Sequence, residues 1–219
     1  MVQGAPSASP RYSFHLSGHS HRVRLFLSLL GIAFETVEVD LKSRKQKSPE
    51  HLRLNRFGQV PVLVDRDEVI ADSTAILVYL ARKYGARSWL PESPSDAARV
   101  QRWSSIASGE ITYGVAAARL ITLFSAPRNA EEVIDRGHAA LQVMEDELAG
   151  REWLAAETPT IADVALYSYV ERAPEGNIDT SVYHNIHRWL PRVEALPGFV
   201  AFEKSPVGLE ANRSGPVLG

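Results

Sequence analysis

The stretch QVPVLVDRDEVIADSTAILVYLARKYG, from Gln59 to Gly85, carries three structural signals in succession. Residues 59–64 are branched and apolar and read as a strand, despite the proline at 61. The charged turn DRDE follows, and Val69 and Ile70 resume the apolar pattern, so the pair reads as a hairpin. Residues 73–84 place Ile76, Leu77, Leu80 and Ala81 on one face of a helix, with Asp72 or Ser73 as its cap. Proline cannot donate to a sheet ladder, so Pro61 taken alone marks an edge strand.

Upstream, the same two periodicities alternate. Residues 11–16 read as a strand. Residues 20–30 carry Val23, Phe26, Leu27 and Leu30 at helical spacing, and Gly31 stands where that helix would stop. Residues 34–41 (FETVEVDL) alternate apolar and acidic side chains, as a strand with one wet face does. Residues 48–54 suit a short helix. The order is therefore strand, helix, strand, helix, strand, strand, helix.

Downstream the strand signal ends. Residues 86–97 (ARSWLPESPSDA) read as a linker. Residues 97–124 form a long helical stretch with a kink expected near Gly109 or Gly114. Residues 130–148 form a helix with Val133, Leu141, Met144 and Leu148 toward a core. In residues 160–170, Thr160 and Asp163 have capping-box spacing. A last helix spans 187–196, before Pro197-Gly198. The chain divides into a small α/β half and an all-helical half.

Composition narrows the chemistry. The 219 residues carry a formal charge of −2, with no basic block that would track phosphates, so no nucleic-acid partner is expected. The absence of cysteine removes disulfides, thiolate metal sites and any protein-borne thiol nucleophile, and is compatible with the cytoplasm. No run of about 18 apolar residues exists, so no membrane association is expected. Residues 1–10 read as a flexible extension and residues 205–219 as a loose tail.

Four segments together carry a family likeness. LSGHSHRVRLFLSLLGI, beginning at Leu16, LRLNRFGQVPVL, beginning at Leu52, VIADSTAILVYLARKYG, beginning at Val69, and LAAETPTIADVALYSYV, beginning at Leu154, occur in order. With LPGF at residues 196–199, residues 12–202 resemble a cytosolic glutathione transferase, of the bacterial theta- and nu-like kind with a serine at the first-strand turn. The resemblance implies a thioredoxin-like α/β domain with a mixed sheet (βαβα-ββα, residues 11–87), a linker at 88–96 and an all-α domain at 97–204. It also implies a cytoplasmic homodimer.

The resemblance further implies glutathione as co-substrate, with no metal. The spacing of His19 and His21 has no third ligand nearby in sequence. A cis Val60–Pro61 bond would let the Val60 backbone pair with the cysteinyl part of glutathione as an added strand. Asp72 and Ser73, at a helix N-terminus, would take the amine and carboxylate of the γ-glutamyl end. Gln46 and Gln59 fall where family members bind the ends of the tripeptide, with Lys47 and His51 as alternatives for the glycyl carboxylate. Ser17 would donate a hydrogen bond to the sulfur. His19 would donate through a ring N–H or carry charge below about pH 6.5; Ser20 is a second hydroxyl candidate. Read from the residues alone, Ser17 is a turn or cap serine and His19 a loop histidine.

The implied activity is conjugation of the glutathione thiolate to a hydrophobic, soft electrophile. Glutathione-dependent peroxide or disulfide reduction is the alternative within the class. Outside it stands a non-catalytic glutathione-binding module.

Overall fold

The computed structural model describes residues 9–212. Residues 1–8 of the expected extension and 213–219 of the expected tail lie outside the described part. Strand β1 (Ser9–Ser13) runs parallel to β2 (Phe34–Glu38) and antiparallel to β3 (Val62–Asp65), which pairs with β4 (Glu68–Ala71). The sheet order is β2-β1-β3-β4. A parallel pair needs a crossover, and helix α1 (Gly18–Leu29) supplies it. Helix α2 (Pro49–Leu54) lies between β2 and β3, and α3 (Ser73–Lys83) follows β4. This is the expected thioredoxin-like α/β unit.

The strand limits differ from the sequence reading. Ser9 and Pro10 belong to β1, where they pair with Phe34 and Glu35, and not to a flexible extension. The strand read at 59–64 begins only at Val62. The Val60–Pro61 bond just before it is cis, and the ladder with β4 begins at Val62. The Gln59 carbonyl is taken by the His51 ring Nε2–H (3.0 Å) and the Asn55 amide (3.0 Å) instead of by a neighbouring strand.

The second half is helical: α4 (Pro94–Ser108), a π-turn at Thr112–Ala116, α5 (Ala117–Phe124), α6 (Ala130–Glu147), α7 (Ile161–Glu171) and α8 (His184–Glu194). Ser93 caps α4, so this helix starts inside the stretch read as a linker. The Thr160–Asp163 capping box forms.

One core runs through both halves. Helix α1 buries Val23, Leu25, Phe26 and Leu27, a broader set than one face. The reason is position: α1 packs against both α3 and α7. Helix α7 buries ten consecutive residues, from Ile161 to Val170, at the centre of the molecule. The C-terminal segment is not loose up to residue 212. The Ser205 N–H donates to the buried Glu175 carboxylate at 2.8 Å, and the turn Gly208–Asn212 packs on the turn Ala173–Gly176.

Candidate functional site

A cleft of about 380 Å³ opens between the two halves. Its α/β wall contains every expected site residue: Ser17, His19, Gln46, Gln59, Val60, Pro61, Asp72 and Ser73. They come from four places: the start of α1, the turn before α2 that holds Gln46, the loop before β3 and the start of α3.

Ser17 is the N-cap of α1. Its Oγ accepts the Ser20 N–H at 3.3 Å, and its own hydroxyl proton has no acceptor among the hydrogen bonds found. The cap reading and the donor reading are therefore compatible in one side chain. Neither the N–H nor the carbonyl of Val60 has a partner among the loop and turn bonds of the backbone. Such an edge can accept an extended peptide.

Asp72 caps α3 with a left-handed φ of 72°. Its carboxylate accepts the Thr74 N–H (2.8 Å), the Ala75 N–H (3.1 Å) and the Thr74 hydroxyl (2.5 Å). Burial pushes its pKa up, but these bonds outweigh burial and hold it below the usual carboxylate value. Gln46 brings a buried side-chain oxygen with no partner to the same cleft.

Ser73 is buried and stands between two side chains of the α1 region. Arg22 Nη1 donates to its Oγ at 3.3 Å, and its hydroxyl lies 3.3 Å from His19 Nδ1. Burial pulls His19 down to a pKa of about 3, with the Arg22 charge acting in the same direction. Burial thus favours a neutral ring, able to donate one N–H, over the cationic form expected for His19 below pH 6.5. Arg22 is fully buried, its Nε and Nη2 lack partners, and burial lowers it to about 10, so it stays charged at neutral pH.

The other expected alternatives are engaged elsewhere. Ser20 Oγ is buried and accepts the Phe14 N–H at 3.2 Å, outside the cleft lining. Lys47 Nζ donates to the Phe57 carbonyl at 2.7 Å, and His51 holds the Gln59 carbonyl. Lys47 keeps two further N–H donors open to a glycyl carboxylate, while His51 Nε2 is committed. His15 pairs with Glu38 on the surface at 2.7 Å.

The helical wall contributes Thr112, Tyr113, Ala116, Arg119, Leu120 and Tyr169. Arg119 is buried, bound to Glu175 Oε2 at 2.6 Å and to the Leu16 carbonyl at 2.7 Å. It thereby ties the helical half to the chain just before Ser17. Arg22 and Tyr169 were missed by sequence reasoning. Arg22 is a charged residue beside an apolar face, usually solvated, and Tyr169 sits in a run too uniformly apolar to reveal which face meets a cleft. Among the described residues no cluster of His, Asp or Glu could hold a metal ion, and no helix is long and apolar enough to cross a membrane.

A mixed sheet whose cis-proline loop and helix N-termini face a helical domain across a cleft defines a two-domain protein of the thioredoxin fold. Comparison with known proteins gives the family. Residues 11–82 match the glutathione S-transferase N-terminal domain and residues 115–197 the C-terminal domain. The chain is 31% identical over 208 residues to a maleylacetoacetate isomerase of Rhizobium meliloti (strain 1021), covering 91% of this chain and 92% of that one. It is 32% identical to a zeta-class glutathione S-transferase of Euphorbia esula, covering 86% of each. A crystal structure of a possible glutathione S-transferase from Rhodopseudomonas palustris superposes with a TM-score of 0.82 at 33% identity, covering 96% of this chain and 97% of that one. The protein belongs to the glutathione S-transferase family, whose co-substrate is glutathione.

Proposed function

We propose that the protein ionises glutathione at Ser17 and conjugates the thiolate to a soft electrophile held against the helical wall. The observation that carries this reading is the Ser17 hydroxyl: it lines the cleft, accepts from the backbone, and keeps its proton for an incoming acceptor. A free thiol has a pKa near 8.5, and lowering it by about two units takes roughly 2.7 kcal/mol. One hydrogen bond to a charged acceptor supplies about 1.5–3 kcal/mol, and the N-terminus of α1 adds to it. The chain has no cysteine, so the only thiol in the reaction is the one glutathione brings.

The tripeptide would lie along the cis-proline edge. Val60 would pair with the cysteinyl backbone, Asp72 with the γ-glutamyl amine, and Ser73 with the carboxylate at the start of α3. Gln46 and Gln59 would flank its ends, and His19 would donate its remaining ring N–H. The domain limits 11–87 and 97–204 put glutathione on one domain and the electrophile on both. We take the functional unit to be a cytoplasmic homodimer; sedimentation as a monomer at micromolar concentration would refute the dimer. The theta- and nu-like placement within the family is part of the same proposal.

The thiolate reading is tested by the ultraviolet absorbance of bound glutathione across pH. The wild-type protein should show a thiol pKa well below the free value, and Ser17→Ala should return it most of the way. Bound glutathione that titrates as in water would favour the non-catalytic module. A second reading is isomerisation of a conjugated acid by reversible thiolate addition, suggested by the relative named maleylacetoacetate isomerase. It uses the same thiolate and differs only in releasing glutathione again.

A further inference from the structure

A second cavity, of about 110 Å³, lies between α1 and the strands β1 and β2. It shares only Phe14 with the cleft, and none of the residues proposed for glutathione lines it. Two register pairs of the sheet contribute to it: Arg11 opposite Thr36, and Ser13 opposite Glu38. Ser20 and Arg24 line it from α1. A crossover helix ordinarily buries apolar side chains against its sheet; here α1 meets the sheet with charge. Arg11, Ser13 and Ser20 are buried at no more than 3% exposure, and Arg24 is half-buried.

Donors and acceptors around this cavity do not balance. Ser13 Oγ accepts from Arg11 Nη1, Thr36 Oγ1 accepts from Arg11 Nη2 at 2.8 Å, and Ser20 Oγ accepts the Phe14 N–H at 3.2 Å. Each hydroxyl is thus used as an acceptor, and its proton has no acceptor among the bonds found. Arg11 Nε and Arg24 Nε have no partner. Arg24 donates from Nη2 to the Ala201 carbonyl at 2.6 Å, and no bond is found from its Nη1. His21 commits both ring nitrogens, to Ser168 and Val200. The one carboxylate in the lining is Glu38, whose Oε1 turns to the His15 N–H (3.0 Å) and the His15 ring (2.7 Å) at the exposed rim. Among the described residues, no ion pair joins Arg11 or Arg24 to a carboxylate. The cavity therefore holds a surplus of donors.

We infer that this cavity is an anion site, and that its ligand is a small tetrahedral oxyanion of the sulfate or phosphate kind. Charge points the same way as the donors. Burial lowers Arg11 to about 10, the Arg24 charge adds to it, and Glu38 opposes; burial lowers Arg24 as well. Both guanidiniums stay charged at neutral pH. Burying two like charges without a counter-ion is costly, and an anion between them offsets both the desolvation and the repulsion. The guanidiniums supply charge-assisted donors, and the Ser13, Ser20 and Thr36 hydroxyls supply neutral ones. These donors come from three elements. A tetrahedral ion presents oxygens in as many directions, whereas a carboxylate presents two in one plane. At about 110 Å³ the cavity is too small for a nucleotide-sized ligand, which occupies roughly 300–1,000 Å³.

The test is a nitrogen-15 NMR titration of the full-length protein with sodium sulfate, set against sodium chloride at equal ionic strength. A local signal is needed because sulfate stabilises folded proteins in general by exclusion from their surface. The arginine Nε–H signals and the Ser20 amide should shift saturably in sulfate and not in chloride, and sodium phosphate should follow sulfate. Arg24→Gln should weaken sulfate binding about tenfold or more. Glu38→Gln, at the exposed rim, removes the one opposing charge and should tighten binding about threefold, so the inference is tested even if the arginine variant does not fold. Arg128→Gln alters an exposed arginine of the cleft and should change nothing. Shifts that match those in chloride, or that never saturate, would mean that the cavity holds water and would overturn the inference. So would unchanged affinity in a folded Arg24→Gln, weaker binding in Glu38→Gln, or a loss in Arg128→Gln, which would seat the anion in the cleft. Acetate that binds as tightly as sulfate would overturn the tetrahedral assignment. The site stands apart from the thiolate reading, and neither result decides the other.

Discussion

At Ser73 one hydroxyl serves two neighbours: Oγ accepts from Arg22, and the proton is available to His19 Nδ1. That arrangement leaves Nε2 of the neutral His19 ring as its N–H. Burial and the Arg22 charge keep the ring neutral down to about pH 3. The consequence is a pH profile without histidine. The group's pKa is depressed, so its protonated form appears only as pH falls through about 3. Between pH 5 and 8 the bound thiol should titrate as a single ionisation. Carbon-13 spectra of ring-labelled protein should show His19 neutral at pH 5; a His19 titration near 6.5 would refute this. Ser73→Ala removes the hydroxyl bridge that orients Arg22 and His19 while keeping the Ser73 N–H for the ligand, and should weaken glutathione binding about tenfold, roughly 1.4 kcal/mol, by calorimetry. An unchanged affinity would mean that the bridge does not shape the binding site. Ser17 was legible as a cap, because a serine before an apolar helix has few places to go; its role toward sulfur came only from the family resemblance. The charge state of His19 was not, since Arg22, Ser73 and Tyr169 reach it from three separate elements.

Among the elements, the long helical stretch after the linker shows how far periodicity carries. The sequence marks a kink near Gly109 or Gly114, and both take part: α4 ends with Gly109 as its cap, and the π-turn spans Gly114. The reason for the small residues is close packing. A Cβ on Gly114 would meet the Gly137 backbone nitrogen at 2.6 Å and Cα at 2.8 Å, and backbone cannot step aside as a flexible side chain can. Gly114→Ala should therefore separate α6 from the π-turn and destabilise the protein by about 3 kcal/mol in urea unfolding. A midpoint equal to wild type would mean that the two backbones are not held so close. The start of α8 shows the opposite case. Periodicity put it at residue 187, yet the helix begins at His184, because the Glu145 carboxylate on α6 accepts the N–H groups of Asn185 and Ile186 at 2.8–3.0 Å. A cap supplied by another helix leaves no local trace in the sequence.

For the whole molecule, the two halves and the C-terminal segment meet at His21. Its Nε2–H donates to the Val200 carbonyl at 2.9 Å, its Nδ1 lies 2.8 Å from the Ser168 hydroxyl on α7, and its ring stacks on Phe202 at 4.7 Å. A neutral imidazole satisfies both bonds, with Nδ1 accepting from Ser168; a cation could donate from both nitrogens, so what disfavours it is burial beside three arginines. Burial pulls the ring down to about 3, the Val200 bond resists, and the nearby Arg24, Arg172 and Arg11 lower it further. In the unfolded chain the same ring protonates near 6.5. Between about pH 3 and 6.5 the unfolded state thus binds the extra proton, so stability rises with pH through this window and levels off above it. The slope from one such histidine approaches about 1.4 kcal/mol per pH unit, and His19, less enclosed, adds a smaller slope of the same sign. Most carboxylates are ionised above pH 5, and the buried Asp163 and Glu171, which burial pushes up, oppose the rise, so the His21 share between pH 5 and 6.5 is read from the difference between wild type and variant. Over that interval the urea unfolding free energy of the wild type should climb by about 1–2 kcal/mol. His21→Leu should be less stable at pH 7, having lost both bonds, yet show a much flatter rise between pH 5 and 6.5. If the variant kept the wild-type slope, the junction between the domains would not be the seat of the acid sensitivity. If the wild type showed no slope, His21 would have to titrate freely, and the contacts that join α1, α7 and the C-terminal segment would be open in solution.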